Sequence, residues 1–322
     1  MRSVRSAPRR SKAWLAIAVA VGLAGTACST TTGPIPATTS PSDQHCVAAT
    51  GAVTSVDVSS PVARWLAQTP FFVAHRGGDA SWVEGTADAY QNAVKWNPDL
   101  ALEVPVWRSV DGVWVVSEEP TTGRVFNADD TISSTTWATL STLRTKRGNF
   151  PMARLKNDIL EPYGSTRILF IDNKADLHVT EFFDLLDSYA GPSRYISKGF
   201  YASKNSALEA RCRGYLTWGY YGTGDMSHFA DTQARFDLLG LDYSAPSTDF
   251  ATMSATGKPV IAYLIGNQAA EALAAGVGAS GFMVSAVREV VPTRQQTPAG
   301  DTGSREQNSS QETAATSTGG SG

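Results

Sequence analysis

Nine short apolar runs recur between residues 71 and 284, and helical patterns separate most of them. The runs are Phe71–Ala74, Leu100–Trp107, Val113–Val116, Arg167–Ile171, Tyr195–Phe200, Tyr215–Trp218, Phe236–Leu241, Pro259–Leu264 and Gly281–Val284. Runs this short fit strands buried on both faces. Between them, Ala87–Trp96 places Ala89, Tyr90, Ala93 and Val94 on one helical face. Val179–Tyr189 turns Phe182, Phe183, Leu185, Leu186 and Tyr189 inward, and Gln268–Ala275 is Ala-rich and helix-prone. Parallel strands need crossover connections, so strand–helix alternation predicts an α/β fold, and about 230 residues of it suit a (β/α)₈ TIM barrel.

Nine runs are one too many for eight barrel strands. Leu100–Trp107 and Val113–Val116 account for the excess, because Asp111-Gly112 between them is a hairpin turn signal. The expected fold is therefore an irregular TIM barrel with a β-hairpin after the second strand. A doubly wound open sheet is the structural alternative. Gly77 and Gly78 stand at the first strand–helix junction, but no GxGxxG follows, which leaves a dinucleotide site unsupported.

The ends of the chain read differently. Arg2, Arg5, Arg9, Arg10 and Lys12 precede an apolar stretch from Trp14 to Ala24, then small residues and Cys28. That is the order of an export signal, and the apolar stretch is short for a membrane span. Gly25-Thr26-Ala27-Cys28 resembles the lipobox of bacterial lipoproteins, whose cysteine is lipidated and becomes the new N-terminus. Residues 1–27 are thus expected to be a signal peptide, with lipidation at Cys28 and a lipid-anchored location on the outer face of the cell membrane. Ordinary cleavage after Ala27, giving a secreted protein, is the alternative. Residues 28–59 are rich in Ser, Thr and Pro and read as a tether, and 292–322 read as a disordered tail. Residues 60–291 remain for the barrel.

The chain carries 27 Lys+Arg and 30 Asp+Glu, a formal charge of −3. The leader holds five of the basic residues and no acidic one, so its removal lowers the charge to −8. An acidic body argues against nucleic-acid binding and against adsorption to anionic lipid by charge alone. Membrane contact is then expected through the lipid anchor. Three cysteines are too few for a disulfide scaffold, though export permits a bond between Cys46 and Cys212.

The chemistry-bearing residues fall in a specific order. His75-Arg76-Gly77 ends the first strand and Glu84-Gly85-Thr86 opens the first helix. Glu103-Val104-Pro105 lies on the second strand, Asp111-Gly112 forms the turn, and Glu118-Glu119 ends the third strand. Asp172-Asn173-Lys174 ends the next strand of the series. This succession resembles the signature of the glycerophosphodiester phosphodiesterase family, a phosphoinositide-phospholipase-like barrel. That family carries His-Arg-Gly, Glu-Asn-Thr, Glu-x-Asp, an Asp-Gly turn, His-Asp and Glu-x-Lys at these places.

The resemblance implies a site at the C-terminal strand ends. In the family, two histidines act as general acid and base on a phosphodiester, and a divalent cation, Mg²⁺ or Ca²⁺, neutralises the phosphate. Carried over, His75 is the first catalytic histidine and Glu118 stands in place of the second. Arg76 and Lys174 contact the substrate phosphate. Glu103 and Asp172 are metal ligands, and Pro105 stands where a further metal carboxylate belongs. The implied ligand is a small phosphodiester of glycerol or a lipid head group.

Other readings of the same residues stay open. Asp172 and Lys174 lie two apart, on one side of a strand, and can pair with each other and with Glu103, the lysine standing in for a cation. His228 can reach over the mouth or sit on the surface, and His178 can cap a helix. Trp218, Tyr220 and Tyr221 can line a ligand pocket or pack on the barrel top. Two functions follow: a metal-assisted phosphodiesterase, or a catalytically lapsed barrel that binds a phosphorylated envelope ligand or a partner.

Overall fold

The architecture is that of a computed structural model, which describes residues 57–294. The leader, Cys28, Cys46, most of the tether and most of the tail lie outside these described residues. Nine strands form one sheet: β1 (Phe71–Ala74), β2 (Ala101–Arg108), β3 (Trp114–Val116), β4 (Leu169–Asn173), β5 (Tyr195–Phe200), β6 (Leu216–Tyr221), β7 (Leu238–Asp242), β8 (Val260–Ile265) and β9 (Gly281–Val284). All but β3 run parallel and in sequence order. The ring closes where β1 pairs with β9 on one side and with β2 on the other, Val73 opposite Ala101. The fold is a closed (β/α)₈ barrel, which removes the open-sheet alternative.

β3 lies outside the ring. It pairs antiparallel with the far end of β2, Val106 opposite Val116 and Arg108 opposite Trp114. The turn follows from its residues. Ser109 Oγ accepts from Val113 N at 2.8 Å and donates to Asp111 Oδ1 at 2.7 Å, and Gly112 takes φ 90°, a conformation that favours glycine.

Side chains alternate along each strand, and the inward set packs as one cluster that includes Phe71, Val73, Phe170, Ile196, Trp218 and Met283. The helix Pro61–Leu66, capped by Ser60, closes the N-terminal end of the barrel. Its Trp65 ring lies 4.7 Å from Phe71 and 5.8 Å from Phe170. The outward strand faces pack on helices Ala87–Trp96, Val179–Asp187, Asn205–Cys212, Ser247–Ser254 and Gln268–Gly276. A third cluster, Val115, Phe126, Ile132, Leu140, Leu143 and Met152, supports the excursion between β3 and β4.

Most element boundaries shift by one or two residues from expectation, and two shifts bear on the site or its supports. The Val179 helix ends at Asp187, before Tyr189. β6 runs on to Tyr221, so Tyr220 and Tyr221 are strand residues rather than loop residues, held by pairing with β7. Cys212 is disulfide-bonded at the end of its helix, and its partner lies outside the described residues.

Candidate functional site

Strand register sets out the site. Pro105 of β2, Asp172 of β4, Lys198 of β5 and Trp218 of β6 are successive Cα partners, a lateral row near the C-terminal mouth of the barrel. Glu103 lies two residues before Pro105, so it points the same way one pleat deeper. Glu103 is 0% exposed, Asp172 2% and Lys198 6%. Charges at this depth persist only when paired.

They are paired in a closed ring. Lys198 Nζ lies 3.2 Å from Glu103 Oε1 and 2.6 Å from Asp172 Oδ2. Asp172 Oδ2 also accepts from Lys174 Nζ at 3.2 Å, and Lys174 Nζ donates to Glu118 Oε1 at 2.9 Å. Glu118 Oε1 is 3.3 Å from Arg76 NH2. The Arg76 backbone N–H returns to the start, donating to Glu103 Oε2 at 2.7 Å. Two further pairs extend the ring outward: Arg76 NH1 meets Glu84 Oε2 at 3.1 Å, and Arg124 bonds both Glu84 and Glu119.

The first strand delivers its residues through a strained turn. Arg76 takes φ 50°, ψ 32°, and Gly77 and Gly78 follow at φ 81° and 94°. A left-handed non-glycine residue costs roughly 1–2 kcal/mol, and the buried Glu103 carboxylate on its N–H offsets that cost. Gly77 is required for space as well as φ: a Cβ there would stand 3.0 Å from Ala89 Cβ, at the start of the next helix. Thr86 caps that helix, its Oγ1 accepting from Ala89 N at 3.1 Å. His75 Nδ1 is 3.1 Å from Asp79 Oδ1, ion-pair distance but outside hydrogen-bond geometry, and neither buried atom has another partner.

The electrostatics follow from this packing. Burial alone would raise the Glu103 and Asp172 carboxyls. Lys198, with His75 and Arg76 for Glu103 and with Lys174 for Asp172, instead holds both below the usual range. Burial would lower Lys198, but Asp172, Tyr220 and Glu103 raise it well above an ordinary lysine. Lys174 is raised likewise, chiefly by Asp172 against its burial. An aromatic wall completes the setting. Lys198 Nζ is 4.3 Å from the centre of the Tyr220 ring and 5.6 Å from that of Trp218. Tyr263 meets Tyr220 edge-on at 5.6 Å and donates its hydroxyl to Tyr221 O.

The structure thus brings together His75, Arg76, Glu103, Glu118, Asp172 and Lys174. Tyr220 and Trp218 join them as the wall. His228 stays apart: it is exposed and stacks on Tyr201 at 5.0 Å. His178 stands at the N-cap of its helix with φ 53°. Lys198, Asp79 and Arg124 were not anticipated from sequence. The signal for Lys198 was available, since Tyr195–Phe200 is a buried strand and Lys198 shares the inward period of Ile196.

The residues present do not fit a divalent cation. A hard dication takes about six oxygen ligands, whereas Glu103 and Asp172 already hold an ammonium between them and Pro105 offers no side-chain donor. Among the described residues, no group of three or more His, Cys, Asp or Glu side chains is arranged to hold a metal.

Residues 75–187 match the sequence model of the glycerophosphoryl diester phosphodiesterase family. The segment includes every ring residue except Lys198. That segment, about a third of the chain, is similar to the family. Solved structures share the barrel. An Oleispira antarctica phosphodiesterase in complex with its product sn-glycerol-3-phosphate aligns at TM-score 0.59 and 16% identity, over 69% of this chain and 95% of its own. The glycerophosphodiester phosphodiesterases of Agrobacterium tumefaciens and Thermotoga maritima align at 0.57 and 0.55, with 16% and 17% identity. They cover 67% and 68% of this chain, and each covers 96% of its own. A comparison with curated protein sequences gives no match.

Proposed function

We propose that the chain is a phosphodiesterase-like barrel whose mouth binds the phosphoryl group of a glycerol- or lipid-type phosphodiester, with metal-assisted hydrolysis lost. The observation that carries this reading is the position of Glu118. Its carboxylate lies between Arg76 and Lys174, 3.3 and 2.9 Å from their nitrogens, as an anionic ligand would. Arginine offers a planar fork of donors matched to phosphate oxygens, and lysine adds a mobile point charge. Glu118 is also the most exposed of the ring carboxylates, at 19%, and its Oε2, though buried, makes no hydrogen bond. A phosphoryl group entering from the mouth takes its place between the two cations while Lys198 stays with Glu103 and Asp172. The sn-glycerol-3-phosphate bound by the Oleispira antarctica barrel supports this class of ligand.

A second reading, slow hydrolysis, is favoured by the His75–Asp79 pair, because a carboxylate beside imidazole suits proton transfer. Its weakness is that Glu118 stands where a second proton-transfer group belongs. The leader supports a place for this binding on the extracytoplasmic face, anchored through Cys28. The test is calorimetric titration of the full chain with sn-glycerol-3-phosphate and with glycerophosphocholine. Saturable binding weakened in Lys174→Gln supports the reading, and absence of binding by either compound overturns it.

A further inference from the structure

We infer that the Lys198 ammonium is a permanent replacement for the divalent cation of this barrel family, so that the mouth excludes Mg²⁺ and Ca²⁺ and meets a phosphorylated ligand without them. The inference rests on the phosphodiesterase-like reading of the mouth and adds the identity of its cation.

Three observations carry it. The first is position. Lys198 Nζ touches both carboxylates that the family resemblance assigns to metal, at 3.2 and 2.6 Å. A Ca²⁺ ion coordinated to the same oxygens sits about 2.3–2.6 Å from them. It would crowd the ammonium, with like charges in contact. The second is charge. Glu103 and Asp172 are balanced by Lys198 and Lys174, the neutralisation that one dication would supply. The third is fixation. Lys198 is 6% exposed, and its head group is enclosed by two carboxylates and the faces of Tyr220 and Trp218. A lysine held on four sides does not swing away to admit a metal at no cost. Pro105, the Cα partner of Asp172, removes the remaining side-chain ligand from that row.

The full chain, stripped with EDTA and dialysed, is titrated with Ca²⁺ and with Mg²⁺ alone. The expected result is no saturable binding and a melting temperature unchanged between EDTA and excess metal. The double variant Lys198→Ala with Pro105→Asp frees two carboxylates and adds a third, and its Ca²⁺ affinity should exceed that of the parent by about tenfold or more. Stoichiometric Ca²⁺ binding by the parent that Glu103→Gln abolishes would overturn the inference. Should the double variant fail to fold, the parent titration still decides. Binding of sn-glycerol-3-phosphate is then measured in EDTA and in Ca²⁺. Binding that requires Ca²⁺ defeats the Lys198 assignment and keeps the phosphoryl-binding reading. No binding in either medium, with Ca²⁺ also rejected, defeats the phosphoryl-binding reading and leaves the exclusion of metal standing.

Discussion

Lys198 Nζ and Asp172 Oδ2 stand 2.6 Å apart on adjacent strands at directly paired Cα positions. The contact is therefore set by barrel register, not by a flexible loop. It is one of the two buried links, with Lys198–Glu103, in a ring of charges that joins β1, β2, β4, β5 and the loop after β3.

Breaking that link leaves a buried charge without a partner. Lys198→Met should destabilise the chain by about 3–5 kcal/mol, the usual cost of removing one member of a buried pair. Removing Asp172 as well, in Lys198→Met with Asp172→Leu, should recover part of the loss, because Glu103 is then the one carboxylate left without the lysine rather than one of two. Urea unfolding of the parent, both single variants and the double variant gives the coupling directly. Strict additivity of the two changes would contradict the ring.

Glu118→Gln tests the outer arc of the ring. Glu118 occupies the two cations that a phosphate needs, and its carboxylate repels an incoming anion. Neutralising it should raise affinity for sn-glycerol-3-phosphate by roughly tenfold, about 1.4 kcal/mol. The stability change should be small beside that of Lys198→Met, because Glu118 is partly solvated. Calorimetric titration of the two proteins side by side reads the affinity. A weaker complex in Glu118→Gln would mean that Glu118 contacts the ligand rather than standing in for it.

Much of this was legible in the chain. The alternation of short apolar runs and helical patterns predicts an α/β barrel, with an open sheet as the alternative, and Asp111-Gly112 marks the hairpin, because both depend on local periodicity. The ring was legible only in part. Arg76, Glu103, Glu118, Asp172 and Lys174 stand on or just after barrel strands in a recognisable order, with His75 beside them, so sequence brings them to one mouth. Lys198 was missed because its role arises from register between β4 and β5, a long-range relation that no spacing along the chain reports. Its only local sign was a lysine at the inward position of a buried strand. Arg124 and Asp79 acquire partners only through the excursion after β3 and the tight turn after His75.

The acid limb of stability follows from the shifted carboxyls. Glu103 and Asp172 have folded-state values below their unfolded ones. Their contribution is therefore complete above the ordinary carboxylate range, about pH 4, and is lost as pH falls through the lower folded values. Lys198 and Lys174 are shifted upward, so their contribution is complete below the ordinary lysine value and is lost only as pH rises through the folded ones. The urea midpoint should decline from about pH 4 downward, and Asp172→Asn should show a shallower decline. Parallel slopes in the two proteins would remove Asp172 from the account.

The proposed membrane location rests on lipidation of Cys28. Cys28→Ala should lose acylation and appear in the medium, whereas the parent stays with the membrane fraction. Fractionation with metabolic labelling by a fatty-acid analogue distinguishes the two. Unchanged membrane association in Cys28→Ala would point to another anchor.

Turnover is the sharpest test of a lapsed site. Three features of the proposed site would oppose hydrolysis: Lys198 in the cation's place and, as the family resemblance implies, Pro105 in place of a ligand and Glu118 in place of a histidine. General acid–base help is worth roughly 10²–10⁴-fold for each group, and charge neutralisation by a metal adds several kcal/mol. The parent should therefore release no glycerol phosphate from glycerophosphocholine above background, with or without Ca²⁺. The triple variant Lys198→Ala, Pro105→Asp and Glu118→His reverses all three features on an unchanged β1 turn. It should gain turnover that depends on Ca²⁺ and disappears when His75→Ala is added, since His75 then has a second histidine and a metal to work with. A coupled assay for sn-glycerol-3-phosphate follows the reaction. Metal-independent turnover by the parent that His75→Ala abolishes would instead establish the slow hydrolase, with Lys198 supplying the positive charge that the transition state requires.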